Sequence, residues 1–326
     1  MDAIFEAYLA AQRRRRRSPL TIKASAQALR TLQRWLDERG IAAGELSLFE
    51  CERYFDQLLD RGAVSTVRRH LAYVRAAYRY GLRHQLAGSD PTVDVRLPSL
   101  PDIEPATYSN QELRAILAAT RSEREELAFF LLAFAGLRLG ELAALSWEQV
   151  DLDRGQLRLT GKGGKFRLIP LHPVLHRLLL EQRRRARHEH EPLLLTVDRR
   201  RLAAATLGRS IRALVDRAGV EVDSPAHAFR RTVATVMHEH GVRTRVIERI
   251  MGWAPRQMHE RHYLRVADQT MREAILTLYH DDPICPHQLE PPPAAPPPPA
   301  ARDTGFLTAE RRRLEQLERE LGLDAG

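Results

Sequence analysis

Apolar residues in the first ninety positions recur three and four apart with charged residues between them. That is the period of helices burying one face. Ile4, Tyr8 and Ala11 predict a first helix. After Ser18 and Pro19, Ile22, Leu29, Leu32 and Leu36 predict a second, closed by Gly40. Ser47 and Glu50 have capping-box spacing ahead of Phe55, Leu58 and Leu59. A fourth helix starts near Ser65, with Val67, Leu71, Val74, Tyr78 and Leu82 on its inner face. Together these predict a four-helix bundle over residues 1–93. Pro91, Pro98, Pro101 and Pro105 then make an extended linker, taken as residues 94–106.

From residue 107 the periods mix. Capping-box pairs Ser109–Glu112 and Ser122–Glu125 precede one helix with Leu113, Ile116 and Leu117, and another with Leu127, Phe130, Leu131 and Phe134. Gly136 ends the second. The run QLRLTGKGGKFRLIPL alternates on both sides of a glycine-rich turn and predicts a hairpin, with Lys162 and Lys165 on the turn. Helices are expected from Pro173 to His190, through Leu207, Ile211, Leu214 and Val215, and onward from Ser224 as N-cap with Pro225 as first residue. Gly241 stops that last helix. Val246, Ile247, Ile250 and Met251 mark another, which delivers Trp253, and a final helix after Tyr263 runs to about His280. The expected fold is mainly α in two domains, a helical bundle followed by an α+β domain over 107–282 with a small antiparallel sheet. The prolines of PPPAAPPPPA make residues 283–305 a stiff spacer. Leu307, Leu314, Leu317 and Leu321 give 306–326 an amphipathic helical pattern, too short to stand alone. It would dock on a partner or another subunit, or be disordered.

Charge narrows the partner. A formal net charge of +9 favours a polyanion. The outer face of the fourth helix carries Arg68, Arg75 and Arg79, which either keep the face solvated or contact phosphate. The run Arg13, Arg14, Arg15, Arg16 and Arg17 reads more strongly as a phosphate contact, because adjacent like charges repel. Two distant cysteines, Cys51 and Cys285, form no disulfide framework and fit a reducing compartment. No apolar run suits a bilayer or a signal peptide, so no membrane association and a cytoplasmic location are expected.

Candidate chemistry gathers late in the chain. His227 and Arg230 lie three apart and project from one helix face. With an indole N–H from Trp253 and the hydroxyl of Tyr263, they suggest an anion site beside a nucleophile. Arg138 sits between apolar runs and calls for an anionic partner. That partner is a ligand, or Glu141 in a structural pair. A lysine on a glycine-rich turn is by itself usually just solvated. His188 with His190 and His238 with His240 are two apart and face different sides of a helix, and no cysteine pair accompanies them or His259 with His262. No metal is expected.

Taken together, Arg138, Lys162, His227, Arg230, Trp253 and Tyr263 resemble the active-site set of the tyrosine recombinases, or phage-type integrases, of Xer-like or Cre-like kind. AGLRLGEL resembles the first arginine box, with Glu141 at the acidic position. GKGGKFRLIPL resembles the lysine hairpin, HAFRRTVAT the H-x-x-R box and RHYLRV the tyrosine box. The resemblance covers roughly residues 1–280. Two departures stand out: Trp253 occupies a position more often held by His, and its gap to Tyr263 is slightly long. The resemblance implies a SAM-like, core-binding helical domain and a recombinase catalytic domain. It also implies site-specific cutting and rejoining of double-stranded DNA through a 3′-phosphotyrosyl intermediate, by a homo- or hetero-tetramer on paired sites. No cofactor is implied. Tyr263 would be the nucleophile, Arg138 and Arg230 the phosphate clamp, and Lys162 the acid for the departing 5′-oxygen. His227 would assist proton transfer, and Glu141 would orient His227 or Arg138. The rival readings are a DNA-binding protein of this fold without catalysis, and DNA relaxation like that of a type IB topoisomerase. Tyr279, the other tyrosine nearby, is a lesser candidate nucleophile.

Overall fold

The computed structural model describes residues 1–100, 104–160, 166–186, 190–196, 198–253 and 268–288. Lys162, Lys165, Tyr263, His188, His259, His262, the proline-rich stretch from residue 289 and the tail pattern lie outside the described residues. The chain divides into two compact units, with the boundary between Ile103 and Glu104.

The first unit is helical. It comprises α1 (Ala3–Arg14), α2 (Pro19–Asp37), α3 (Leu48–Leu59) and α4 (Val64–Arg83). Its core joins Phe5, Leu29, Leu32, Leu36, Phe55, Val74 and Tyr78, so the helical period located the inward faces. Leu82, expected inside, is exposed in the last turn of α4. Ser47 Oγ accepts the Glu50 N–H at 3.2 Å, the usual half of a capping box. The return half is missing, since Glu50 turns toward Arg53.

The second unit is built around α6 (Glu123–Ala135). Residues Leu127 to Ala135 are buried on every side, as an all-round apolar helix must be. Around it lie α5 (Asn110–Ala118), α7 (Leu139–Ala144), α8 (Pro173–Arg183), α9 (Ala204–Arg217), α10 (Pro225–Glu239), α11 (Thr244–Met251) and α12 (Asp268–Leu276). A three-stranded antiparallel sheet, β1 (Val150–Asp151), β2 (Gln156–Thr160) and β3 (Phe166–Pro170), runs in sequence order. Leu157 pairs with Ile169 and Leu159 with Arg167, and these four side chains turn toward the core.

Local expectations hold where the partner is near in sequence. Ser109 and Glu112 close a full capping box, with bonds of 3.2 and 2.7 Å. At the next helix Ser122 caps the Glu125 N–H, but Glu125 returns to the Arg121 N–H and to Arg217 on α9. Ser224 precedes α10 without a side-chain cap bond. The helix expected to reach His190 ends at Arg183, inside a run of arginines whose like charges disfavour another turn. Among the described residues no helix is long and apolar enough to cross a membrane.

Candidate active site

Three arginines from three different elements meet the end of one helix. The last carbonyls of an α-helix have no partner inside it and carry the negative end of its dipole. At α11, Arg167 Nε on β3 donates to the Ile250 carbonyl at 3.1 Å, and Arg230 Nη2 on α10 donates to the Met251 carbonyl. Arg138 Nη2, from the residue preceding α7, donates to the Gly252 carbonyl at 3.1 Å. Three consecutive carbonyls thus take three guanidinium groups.

Two glycines make this approach possible. Gly136 ends α6 with φ +55°, and its carbonyl accepts Arg230 Nη1 at 2.5 Å. A side chain there would press on Met251 and Val233. Gly252 ends α11 with φ +62°, and a Cβ would lie 2.8 Å from Arg167 Cδ. Both hold the left-handed conformation that costs glycine least.

Arg230 is 5% exposed and reaches two carbonyls but no carboxylate among the described residues. Burial pushes its pKa down to about 9, helped by the like charges of Arg138 and Arg167 and opposed by Glu141. It stays protonated at neutral pH, and its guanidinium carbon lies 5.8 Å from the Trp253 ring centroid. His227 stands three residues earlier on α10, exposed and without a hydrogen-bond partner among the described residues. Trp253 is 43% exposed, its backbone N–H held by the Glu248 carbonyl at 2.9 Å.

Glu141 accepts four N–H bonds. Its Oε1 takes Arg138 Nη1 at 2.9 Å and Arg167 Nη1 at 2.7 Å, and its Oε2 takes the Arg138 backbone N–H and Arg167 Nη2, each at 2.8 Å. Burial alone would raise this carboxyl's pKa. The bonds from Arg167 and from the Arg138 backbone, with the charges behind them, hold it down to about 2. Of the two residues Glu141 was expected to orient, Arg138 is bonded to it, and among the described residues no bond joins it to His227.

Arg167 is the residue that the sequence reading gave no role, although a signal for it was present. In β3 it lies two residues before Ile169, on the same face, and pairs with Leu159, which puts a cation on the buried face. Such a charge requires buried acceptors, an anion or several carbonyls, to hold it. Tyr279, in contrast, is fully enclosed and donates to the Ala133 carbonyl at 3.0 Å. Burial raises its pKa, which disfavours the ionised form a nucleophile needs.

The basic residues of the first unit divide. Arg13 to Arg17 and Arg79 are exposed. Arg68 is exposed but also donates to the Pro98 carbonyl at 2.9 Å. Arg75 was expected on the outer face, yet it is half-buried and donates to the Thr92 carbonyl at 2.6 Å and the Val95 carbonyl at 3.2 Å. The chain after α4 folds back over it, so Arg75 is a structural tie.

Residues 107–270 match the phage integrase family, and residues 4–85 match the phage integrase N-terminal SAM-like domain. The tyrosine recombinase XerD of Pseudomonas aeruginosa is 30% identical over 245 residues, covering 71% of this chain and 82% of that protein. The XerD of Lacticaseibacillus casei is 28% identical over 237 residues, 69% of this chain and 81% of that protein. A solved lambda integrase tetramer bound to a Holliday junction shares the fold, with TM-score 0.67 at 16% identity over 82% of this chain and 78% of that one. With these matches, the chain belongs to the phage integrase family and is a tyrosine recombinase, an enzyme of site-specific DNA recombination.

Proposed function

We propose that the chain cleaves one strand of a double-stranded DNA site by attack of the Tyr263 hydroxyl on a phosphodiester. The tyrosyl O–P bond forms as the P–O5′ bond breaks, which leaves a 3′-phosphotyrosyl link. His227 assists removal of the tyrosine proton, and Lys162 protonates the departing 5′-oxygen. A 5′-hydroxyl of a second strand then reverses the step. The covalent intermediate conserves the bond energy and divides one hard displacement into two easier ones.

One observation carries this reading: Arg138, Arg230 and Trp253 meet at the end of α11, and among the described residues Arg230 holds carbonyls and no carboxylate. Neutral carbonyls are weaker acceptors than phosphate oxygens, so a phosphodiester competes well for these guanidinium groups. Two forked cations on the non-bridging oxygens stabilise the charge that builds in the transition state. They also favour ionisation of the nucleophile, which at a pKa of about 10 is only roughly one part in a thousand ionised at neutral pH. A single cation about 5 Å away contributes around 3 kcal/mol at an effective dielectric near 20, an upper bound that the phosphate's own charge reduces. Several cations are therefore needed. Arg13 to Arg17 and Arg79 contact the DNA backbone in this reading. The active assembly is a tetramer on paired sites in the cytoplasm, as the lambda integrase tetramer on a Holliday junction suggests.

The test begins by selecting the bound site from random duplexes. A nicked duplex carrying that site then traps the adduct, because the short released strand diffuses away. Wild type should give a protease-sensitive covalent complex. Tyr263→Phe should bind the same duplex and form none, and an undiminished adduct from Tyr263→Phe would remove Tyr263 from its role.

A further inference from the structure

We propose that Arg167 is a positioning residue that neutralises Glu141, so that Arg138 keeps its charge for the scissile phosphate. The proposal rests on the phosphotyrosyl reading above and concerns the same site.

Glu141 carries one negative charge and is bonded to two guanidinium groups, so the trio has a net charge of +1. Without Arg167, Arg138 and Glu141 would be a neutral ion pair, which attracts a phosphodiester far less than a free guanidinium does. Arg167 suits the task by its burial. It is 4% exposed, so solvent screens it little, and its Nε, Nη1 and Nη2 are all bonded to the Ile250 carbonyl and the Glu141 carboxylate. Both its Nη atoms fork onto the two Glu141 oxygens at 2.7 and 2.8 Å, a geometry that a guanidinium provides and an ammonium does not. Arg138 is the more exposed cation of the pair, with its side chain 36% exposed and its Nη2 directed at the Gly252 carbonyl beside Trp253.

Arg167 also couples the elements of the site. Its Nε holds the Ile250 carbonyl, and its Cδ closes the space over Gly252. In sequence it lies five residues after Lys162, on the strand that leaves the hairpin turn. One buried side chain therefore ties β3, the first arginine box and the end of α11.

The test is single-turnover adduct formation at saturating nicked duplex, measured against pH, with circular dichroism and DNA affinity in parallel. Arg167→Met should slow the adduct by about a hundredfold, the scale of losing one preorganised electrostatic group. Its rate profile should move to higher pH, because the nucleophile loses help from one positive charge. Arg167→Lys loses the fork but keeps the charge that neutralises Glu141, so it should stay within about tenfold of wild type with the wild-type pH profile. Glu141→Gln combined with Arg167→Met restores the net charge of +1 and should be at least about tenfold faster than Arg167→Met alone. A folded, DNA-bound Arg167→Lys as slow as Arg167→Met overturns the proposal, as does Arg167→Met at the wild-type rate. Should Arg167→Met not fold, the double variant decides, since it removes the buried carboxylate together with its buried partner. A wild-type pH profile in that variant supports the proposal, and a profile displaced to higher pH overturns it. Absence of an adduct from wild type itself would instead refute the phosphotyrosyl reading, and this proposal with it.

Discussion

Glu141 holds Arg138 at two points, accepting its backbone N–H at 2.8 Å and its guanidinium Nη1 at 2.9 Å. The first bond fixes where the residue sits at the start of α7, and the second fixes where its side chain points. The cation is thus anchored before any phosphate arrives, which is the preorganisation that transition-state stabilisation requires.

The same carboxylate makes the fold sensitive to acid. Its pKa is held at about 2, against an ordinary 4.5. A group depressed in this way contributes stability that is fully present above the unfolded value and is lost as pH falls through the folded one. The window therefore runs from about pH 4.5 down to about pH 2, and the contribution is roughly 3 kcal/mol at most. Glu141→Gln should have a lower Tm than wild type at about pH 6, and the gap should narrow steadily toward about pH 2.5. A gap independent of pH would mean that the carboxylate is not stabilised by its two arginines.

Gly252 is the point where backbone and Arg167 press closest. Its φ of +62° disfavours any side chain, and the added Cβ would lie 2.8 Å from Cδ and 3.0 Å from Nη1 of Arg167. That arginine is bonded to Glu141 and Ile250 and has nowhere to retreat. Gly252→Ala should therefore cost about 1–3 kcal/mol in thermal or urea unfolding, from conformational strain. It should also slow adduct formation, because the end of α11 shifts with Trp253 on it. An Ala variant with unchanged Tm would show that Arg167 can move aside.

Tyr279 offers a control for the nucleophile. Its hydroxyl donates to the Ala133 carbonyl, and its ring packs edge-on against Phe134 at 5.3 Å. Tyr279→Phe keeps the ring and loses the bond, so it should lose about 1 kcal/mol of stability. Adduct formation by Tyr279→Phe should be unchanged, where Tyr263→Phe forms none. A Tyr279→Phe protein that folds but makes no adduct would reverse the assignment.

What the sequence made legible follows the reach of each interaction. Apolar period located both cores, and the all-round apolar run at Leu127 to Ala135 marked the central helix. Glycines 40, 136 and 241 ended the helices they were expected to end, because helix termination is local. Glu125 shows the limit. It has capping-box spacing from Ser122, but Arg217 lies ninety-two residues away and draws its carboxylate elsewhere. Arg138 and Arg230 could be named from their boxes, yet the carbonyls that gather them belong to a helix far along the chain. Arg167 was readable in principle, from strand alternation alone. A charged residue in a hairpin reads as solvated until its buried partner is known.

Arg75 and Arg79 lie four apart on α4 and look equivalent in sequence, which makes them a sharp comparison. The guanidinium of Arg75 bonds to the carbonyls of Thr92 and Val95 and to the Thr92 hydroxyl, clasping the chain that follows the helix. Removing it leaves two carbonyls short of a donor, so Arg75→Ala should cost about 1–2 kcal/mol of stability. Its effect on the salt dependence of DNA binding should be slight. Arg79 is exposed, and none of its side-chain N–H groups has a partner among the described residues. If it meets a phosphate, Arg79→Ala should leave Tm unchanged and reduce the slope of log K against log salt by about one. Paired unfolding curves and salt titrations on the selected duplex separate the two. Equal effects of the two substitutions on the salt slope would put Arg75 on the DNA as well, which requires the segment after α4 to release it on binding.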